Sequence, residues 1–456
     1  MTNSDLLDKY NVPVPRYTSY PPANYFHEFT NDAYREAVVQ SDRARDNHLS
    51  FYLHIPFCGQ LCHYCGCNSY PMARPEAVDS YVKALHQEID LLLPMLDSHR
   101  RISQIHYGGG TPTALPLHYI RELNDHLLSA FSTIETPEIA IECHPGYLTV
   151  GDWYELTQCG FNRYSIGIQD FDEAVLKTVN RRPSHLPVEK IFDLLRRVGA
   201  RINLDFLYGL PGQSADSFAD TIGRAIALKP DRIVTFSYAH VPWVNKRQLI
   251  LERAGLPAAG EKSRMFIRAS ELLQAAGYVR IGMDHFVLPD DELNIALNTH
   301  RLHRNFQGYC TRRTTAQVYA FGVTGISQLD TAYMQNSKSI DEYVDALHTR
   351  RDFCIRKGYV LNRDEQITRE VIEMLMCNYC IRWDELSARL ELPVERLKAA
   401  TAYNEERLFD FRRDGLLTFD ADKIQMTPAG YPFVRNVAAS LDKLMGRSHL
   451  SFSKPI

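Results

Sequence analysis

The sequence has no run of apolar residues approaching the roughly 18 that a membrane-spanning helix requires, so no such helix is expected. Its 51 Lys and Arg residues are outnumbered by 55 Asp and Glu residues, and the formal net charge of −4 gives no support for nucleic-acid binding. The first ten residues carry neither the basic nor the apolar part of a secretory signal. We therefore expect a cytoplasmic protein that binds neither membranes nor nucleic acid.

The composition excludes a disulfide-stabilised secreted scaffold. The chain has 456 residues, of which 45% are hydrophobic and 23% charged, and this balance is typical of a globular protein with a large core. Ten cysteines are present, and four of them fall within one short loop. Such crowding indicates a metal site in a reducing compartment rather than a set of disulfides.

The cysteine loop directly follows an apolar segment, residues 52–55, and contains Cys58, Cys62, Cys65 and Cys67. Cysteines at i, i+4 and i+7 can hold three corners of a [4Fe–4S] cluster and leave the fourth iron open to a ligand. A zinc site is the alternative, although it usually needs a second Cys or His pair, and none stands nearby. The spacing does not decide whether Cys67 is a ligand.

Six short apolar segments alternate with helical patterns between residue 49 and about residue 286. Apolar residues recur at helical spacing at Val82, Leu85, Ile89 and Leu92, and again at Ile191, Leu194, Leu195 and Val198. Repeated strand and helix units predict a parallel sheet with right-handed crossovers, and six units predict an open or partial barrel, (β/α)6, rather than a closed one. The candidate strands are Ser50–Ile55, Ser103–Tyr107, Glu138–Glu142, Arg163–Gly167, Ile202–Leu207 and Arg232–Ser237.

Polar or glycine features recur where these strands end. They include the glycine run 108–110, Glu142, Gln169, Asp205 and the segment 238–240. Reactive groups of such folds lie at the carboxyl ends of the parallel strands, and glycine lets a ligand approach the backbone closely. We therefore expect one ligand-lined mouth at the edge that carries the cysteine loop.

The regions outside the barrel predict three parts: an N-terminal arm (1–47), a catalytic domain (48–355) and a mostly helical domain (356–456). The prolines at 21 and 22 favour an extended arm, whose Arg16 and tyrosines either cross a site or pack on the surface. Helical periodicity followed by a hairpin at 415–426 predicts a winged-helix-like C-terminal domain. Its basic residues do not outnumber its acidic ones, so DNA binding is unsupported.

The segment 303–313 combines Phe306 and Gln307 with Arg304, Arg312 and Arg313. Arginines pair with carboxylates and stack on aromatic surfaces, so the segment would suit an anionic, planar substrate. From the residues alone, a polar surface loop is the favoured interpretation.

Taken together, these motifs resemble the oxygen-independent coproporphyrinogen III oxidase (coproporphyrinogen III dehydrogenase) family of radical S-adenosylmethionine (SAM) enzymes. The resemblance covers nearly every segment of the chain. The matching motifs are Pro15-Arg-Tyr-Thr-Ser-Tyr-Pro21, His54-Ile-Pro-Phe-Cys58, Cys65-Gly-Cys67-Asn68, Gly108-Gly-Gly-Thr-Pro-Thr113, Asn180-Arg181, Tyr208-Gly-Leu-Pro211, Tyr238-Ala-His240, Gly282-Met-Asp-His-Phe286 and His303-Arg-Asn-Phe-Gln-Gly308.

This resemblance implies a radical SAM oxidoreductase of haem and porphyrin biosynthesis. It would convert two propionates of coproporphyrinogen III to vinyl groups, giving protoporphyrinogen IX without oxygen. A [4Fe–4S] cluster and two SAM molecules are the implied cofactors, and a 5′-deoxyadenosyl radical would remove hydrogen from the propionate β-carbon. The implied partners are coproporphyrinogen III and a reduced donor of the flavodoxin or ferredoxin type, and the implied state is a monomer.

The resemblance also implies site residues, position by position. Cys58, Cys62 and Cys65 would hold the cluster, while Glu142 and Gln307 would take part in catalysis. The positions implied to bind SAM are Tyr52, Tyr64, Gly109, Gly110, Thr111, Glu142, Gln169, Arg181, Asp205, Ala239, Phe306, Gln307 and Ile326, of which Phe306, Gln307 and Ile326 match a second SAM molecule.

Two other functions share these motifs. One is a radical SAM enzyme that acts on haem, such as a haem-opening methyltransferase, and the other is a haem-binding chaperone. Cys67 and the Arg16-Tyr17 pair favour the oxidase branch. The sequence departs from the family pattern at Tyr64, at His144 and over residues 312–317.

Overall fold

The computed structural model describes Leu6, residues 9–43, 48–311 and 317–445, and Phe452. Its centre is a run of six parallel strands in the order of the chain. Each contains or coincides with one candidate strand, which confirms the predicted parallel α/β architecture. The strands are β1 His48–Ile55, β2 Arg101–Gly109, β3 Thr133–Cys143, β4 Arg163–Gln169, β5 Arg201–Tyr208 and β6 Arg232–Ser237.

One principal helix follows each strand. They are α1 Pro75–Leu92, α2 Leu117–Ala130, α3 Val150–Thr157, α4 Val188–Arg197, α5 Ala215–Ala227 and α6 Ala259–Ala275. The predicted apolar stripe of α1 is buried, since Val82, Leu85, Ile89 and Leu92 are each at most 1% exposed. Val198 differs from the predicted stripe of α4, because it lies beyond the end of the helix and is 49% exposed.

The sheet extends beyond the six predicted strands. A seventh parallel strand, β7 Val318–Phe321, pairs with β1 on the side away from β2. Antiparallel strands then continue outward from β7, and two more lie beyond β6, giving 13 strands. These edge strands are His27–Glu28, Ile326–Gln328, Ala332–Asn336 and Ile355–Val360 on one side, and Val279–Ile281 and His285–Val287 on the other.

A hairpin outside the sheet presents the aromatic and amide pair. Its strands are Leu302–Asn305 and Gly308–Thr311, and Asn305 pairs directly with Gly308. Phe306 and Gln307 therefore form a two-residue turn. Gly308 has a φ of +127°, a conformation that side chains other than glycine rarely adopt.

The N-terminal segment packs against the C-terminal part of the chain. Residues 11–22 have no regular structure apart from bends, whereas Asn31–Asp42 is a helix that the predicted extended arm did not include. The hydroxyls of Tyr17 and Tyr20 both donate to the Asp442 carboxylate, at 3.0 and 2.9 Å. Tyr17 and Tyr20 are thus buried structural contacts.

The C-terminal region is helical with a small sheet, as predicted. Its helices are Arg363–Asn378, Trp383–Leu390, Val394–Ala400, Glu405–Arg413 and Val434–Ser440. The hairpin predicted at 415–426 is formed by Leu417–Phe419 and Lys423–Met426, and Cys380–Arg382 adds a third strand.

Short elements complete the described structure. The short helices are Glu173–Thr178, Leu249–Ala254, Glu292–Asn298 and Ile340–Asp345, with a π-helical turn at Ala346–Arg350 and 3-10 turns at Ala23–Tyr25, Leu93–Met95, Pro112–Ala114, Lys246–Gln248 and Pro428–Phe433. Phe57–Cys58 and Tyr70–Pro71 form a two-stranded pair around the cysteine loop. None of the helices in the described ranges is both long and apolar enough to cross a membrane.

Candidate functional site

The cysteine loop lies at the carboxyl end of β1, where the predicted mouth was expected. Cys58 and Cys62 are each 7% exposed, Cys65 is half-buried, and Cys67 is exposed. All four line one cavity of about 180 Å³. The three predicted cluster ligands therefore face a common space.

Side chains from two distant segments hold the backbone of this loop. The Asn180 side-chain amide donates to the Leu61 carbonyl at 2.8 Å, and the Gln248 amide donates to the Tyr64 carbonyl at 3.0 Å. Asn245 donates to the Cys65 carbonyl at 2.7 Å. A site preorganised in this way needs little rearrangement when its ligand binds.

Each predicted ligand thiol receives a hydrogen bond. Thr111 Oγ1 donates to Cys58 Sγ at 3.4 Å, Arg181 Nη1 donates to Cys62 Sγ at 3.6 Å, and the Cys67 amide donates to Cys65 Sγ at 3.4 Å. Hydrogen bonding by Cys67 lowers the pKa of Cys65 to about 6, whereas burial raises the pKa of Cys58. The donors favour the thiolate forms that bind iron.

The cysteine loop leaves open space beside its thiols. The thiolates that hold a [4Fe–4S] cube each bind a different iron and stand around a shared space. A Cβ on Gly110 would come within 3.0 Å of Cys58 Sγ and 2.6 Å of the Pro56 carbonyl oxygen. Glycine at this position keeps the space beside the thiols open.

The strand-end residues line the same cavity. The predicted SAM-binding residues that do so are Tyr64, Gly109, Gly110, Thr111, Glu142, Gln169, Arg181 and Asp205. They come from the cysteine loop, from the ends of β2 to β5 and from the segment after Glu173–Thr178. Parallel strands bring their carboxyl ends to one edge, which is why residues far apart in the chain meet here.

Hydrogen bonds fix the polar groups of this cavity. Arg181 donates to Tyr64 OH at 3.1 Å and to the Gly167 carbonyl. His106 Nε2 lies 3.2 Å from the Glu142 carboxylate. Asp205 accepts from Ser165 Oγ at 2.7 Å, and burial raises the pKa of its carboxyl. The cavity thus presents one guanidinium and two carboxylates, which match the carboxylate, ammonium and ribose hydroxyls of SAM.

An unpartnered buried nitrogen also faces this cavity. His144 lines it, and its Nε2 is buried with no hydrogen-bond partner among the described residues. Its Nδ1 accepts from the Gly146 amide at 3.0 Å. Burial, with Arg181 nearby, lowers the pKa of His144 to about 2, so the ring is neutral and Nε2 is left to donate to a ligand.

A second cavity of about 410 Å³ adjoins the first, and Gly109, Glu142 and Cys67 line both. Among the residues that line it are Tyr52, Phe306, Gln307 and Ile326. The hairpin turn points Phe306 and Gln307 into this space, and the backbone amide of Gln307 donates to Asn305 Oδ1 at 2.8 Å. The turn of this segment, for which a polar surface loop was the interpretation favoured from the residues alone, therefore lines a cavity beside the cysteine loop.

Comparison with known proteins identifies the family. The profile of the Radical SAM superfamily matches residues 52–225, and that of the HemN C-terminal domain matches residues 361–433. The oxygen-independent coproporphyrinogen III oxidase of Synechocystis is 38% identical over 442 residues, covering 96% of this chain and 94% of the relative. The chain belongs to the oxygen-independent coproporphyrinogen III oxidase family of radical SAM enzymes.

Other family members agree along the whole length. The Pseudomonas aeruginosa protein of the same description is 37% identical, covering 97% of this chain and 96% of the relative. The solved structure of coproporphyrinogen III oxidase (HemN) from Escherichia coli, described as a radical SAM enzyme, aligns with a TM-score of 0.87 and 36% identity, covering 94% of this chain and 97% of that one. The shared fold thus includes the C-terminal region.

Two expectations from the sequence have no counterpart among the described residues that line these cavities. The first concerns Ala239, which the family resemblance implied, and the second concerns the arginines at 312 and 313. Within the described part of the chain, Ala239 lines neither cavity. Its neighbour Tyr238 bonds to His240, and the Tyr238 carbonyl accepts from Lys262 at 2.7 Å. Residues 312–316, with Arg312 and Arg313, lie outside the described residues.

The structure adds residues that sequence reasoning did not assign to the site. His54 lines the second cavity, lies 3.2 Å from Tyr52 OH and 3.1 Å from the Asn68 carbonyl, and burial lowers its pKa to about 4. Its place in the motif 54–58 was the available signal. Asn245 and Gln248 carry no such signal, because only the folded chain brings them to the cysteine loop.

Proposed function

We propose that this chain converts two propionate side chains of coproporphyrinogen III to vinyl groups without oxygen, yielding protoporphyrinogen IX and two molecules of carbon dioxide. For each propionate, one SAM would be cleaved to methionine and 5′-deoxyadenosine, which takes up the β-hydrogen, and the electron that starts the cleavage is matched by the electron released with carbon dioxide. The near full-length agreement with family members supports this function. The structural observation that carries it is the junction of two cavities: the cavity lined by the cysteine loop adjoins, at Glu142, a second one lined by the hairpin turn.

The residues of the first cavity would hold the cofactors. Cys58, Cys62 and Cys65 would bind three irons of a [4Fe–4S] cluster, which with SAM supplies a 5′-deoxyadenosyl radical able to remove a propionate β-hydrogen. Arg181 would pair with the methionyl carboxylate, and Glu142 or Asp205 would accept from the ammonium or the ribose hydroxyls. The glycines at 109 and 110 and Thr111 let SAM approach the β2 backbone, and Tyr64 and Gln169 complete the enclosure.

The second cavity would take a second SAM molecule, which makes two per chain. Phe306 offers an aromatic face, Gln307 offers an amide, and Ile326 and Tyr52 supply apolar contacts. Glu142 supplies the carboxylate among the three residues that line both cavities, so it can contact both ligands. We assign catalytic contacts to Glu142 and Gln307, and we keep Ala239 as a backbone contact to SAM.

We propose a three-part organisation: an arm (1–47), a catalytic domain (48–355) and a C-terminal domain (356–456). Strand Ile355–Val360 pairs with the large sheet, so that sheet extends past the proposed boundary at 355. We propose that the protein acts as a monomer, receives electrons from a reduced flavodoxin- or ferredoxin-type donor, and works in the cytoplasm.

Anaerobic turnover tests the proposal. Purified protein is reconstituted with iron and sulfide, reduced, and supplied with SAM and coproporphyrinogen III, and products are followed by chromatography and mass spectrometry. We expect protoporphyrinogen IX together with 5′-deoxyadenosine. Formation of 5′-deoxyadenosine with intact coproporphyrinogen III would overturn the substrate assignment, and the same assay with haem would then test the haem-modifying alternative.

A further inference from the structure

A third cavity, of about 390 Å³, lies apart from both cofactor cavities, between α6, the ends of β5 and β6, and the C-terminal segment 428–435. Four cationic side chains line it: Arg16, Lys262, Arg280 and Arg435. We call this cavity the basic pocket. Its walls include the aromatic rings of Tyr208, Phe266 and Tyr431.

The charges of the basic pocket are unbalanced. Two acidic residues, Glu271 and Asp284, line it beside the four cations. Glu271 is exposed, and the Asp284 carboxylate bonds to His285 at 2.7 Å. Among the described residues the four cations outnumber the two carboxylates, and this surplus of positive charge favours binding of an anion.

Arg16 is the cation most available to a ligand. Its backbone carbonyl accepts from Arg304, and its guanidinium makes no direct hydrogen bond or ion pair to any residue within the described ranges. Burial lowers the pKa of Arg16, and the charge of the Asp284 carboxylate opposes that shift. In contrast, Arg280 donates to the Gly282 carbonyl at 3.1 Å, and Arg435 donates to the Pro15 carbonyl at 2.9 Å. A guanidinium with its donors free can bind a carboxylate in a bidentate manner.

The cations of the pocket also destabilise one another. Burial, with Arg16 nearby, lowers the pKa of Lys262 to about 8 and that of Arg435 to about 9. A bound carboxylate would offset both the burial and the repulsion, because an opposite charge favours the protonated forms. The geometry is thus arranged for an anionic ligand rather than for a neutral one.

The pocket opens at the same sheet edge as the cofactor cavities. Asp205 on β5 lines the first cavity, and Tyr208, the last residue of the same strand, lines the basic pocket. Side chains three residues apart on a strand point to opposite faces, and Tyr208 stacks on Phe266 of α6, so the basic pocket lies on the helix-facing side of the sheet. Ser237 at the end of β6 is the register partner of Tyr208 and also lines the pocket. A ligand that occupies both places therefore has to extend over the ends of β5 and β6.

We propose that the basic pocket binds the propionate carboxylates of the porphyrinogen that are not decarboxylated, while a reacting propionate faces the cofactor cavities. This inference rests on the proposed function. Coproporphyrinogen III has four propionates and loses two, so two carboxylates remain through both steps and need a binding site away from the chemistry. Phe266 and Tyr431 offer apolar surface to the adjoining pyrrole rings.

The test compares Arg16→Gln with Arg16→Lys, and uses Arg264→Gln as the matched control. Arg264 lies on α6 beside residues that line the pocket, but it is paired with Glu261 and lines no cavity wall in the described structure. We expect Arg16→Gln to raise the KM for coproporphyrinogen III by about tenfold or more, as loss of a hydrogen bond to a charged group does. Arg16→Lys should restore part of the affinity, and Arg264→Gln should match the unsubstituted protein.

A second readout separates recognition from a structural effect. Anaerobic binding of coproporphyrin III is compared with binding of its tetramethyl ester, which has no carboxylates. The unsubstituted protein should prefer the acid, and Arg16→Gln should lose most of that preference while keeping its cluster content and its affinity for SAM. An unchanged KM together with an unchanged preference for the acid would overturn the assignment. Absence of coproporphyrinogen III turnover in the unsubstituted protein would instead overturn the proposed function.

Discussion

Gly110→Ala should disrupt the cluster site through a single methyl group. The added Cβ would lie 2.6 Å from the Pro56 carbonyl oxygen and 3.0 Å from Cys58 Sγ. The oxygen belongs to the backbone and cannot rotate away, and the Gly110 amide already donates to the Ile55 carbonyl at 2.7 Å. Overpacking of this kind costs about 1–3 kcal/mol, and a strained hydrogen bond adds about 1 kcal/mol.

Gly66→Ala is the matched control for this experiment. Gly66 lies in the same loop between Cys65 and Cys67, and a Cβ there would have nothing within 4 Å. Iron per chain and the visible absorption of the reconstituted cluster are measured for both variants, with the thermal midpoint of the apoprotein. We expect Gly110→Ala to lose most of its cluster and Gly66→Ala to keep it. Equal cluster content and equal stability in the two variants would refute the close approach of Gly110 to Cys58.

Three further predictions concern other positions. Glu142→Gln should keep the cluster but weaken SAM binding about tenfold or more, as measured by equilibrium binding, because a charge-assisted hydrogen bond is lost; unchanged affinity would remove Glu142 from the SAM site. Gln307→Ala should keep the cluster and lower the turnover of coproporphyrinogen III at least about tenfold, whereas full activity would remove the hairpin turn from the mechanism. Burial raises the pKa of Glu88 to about 7, so the folded state holds its proton more tightly than the unfolded state. The free energy of unfolding should therefore fall by about 3 kcal/mol as the pH rises from about 4.5 to 7, and the thermal midpoint should fall with it. Glu88→Gln should reduce this dependence of the midpoint on pH. An equal dependence in the variant would contradict the raised pKa of Glu88.

The barrel strands were predictable because each is an apolar segment with a polar or glycine residue at its carboxyl end. The edge strands were not predictable from the sequence. Ile326–Gln328, for example, is three residues long, which is too short to show an alternating pattern, and it is a strand because it pairs with its neighbours in the folded chain. Helix Asn31–Asp42 was not predicted, because the extended conformation expected around the prolines at 21 and 22 was assigned to the whole arm. Its Thr30 N-cap, which accepts from Ala33 at 3.1 Å, was an available signal.

The site was predictable to different depths. Cysteine spacing alone located the cluster loop, and strand ends alone located Glu142 and Asp205 at the same mouth. Phe306 and Gln307 required the family resemblance, because a two-residue hairpin turn has no distinguishing periodicity. The basic pocket had no sequence signal, since Arg16 and Arg435 lie more than 400 residues apart and meet only in the folded chain.

The fate of one hydrogen atom tests the proposed chemistry most directly. Coproporphyrinogen III deuterated at the β-carbons of its propionates is supplied anaerobically with SAM, reductant and the reconstituted protein. We predict that deuterium appears in 5′-deoxyadenosine and that vinyl products accumulate in step with it. Unlabelled 5′-deoxyadenosine formed alongside vinyl products would contradict hydrogen removal from the propionate β-carbon.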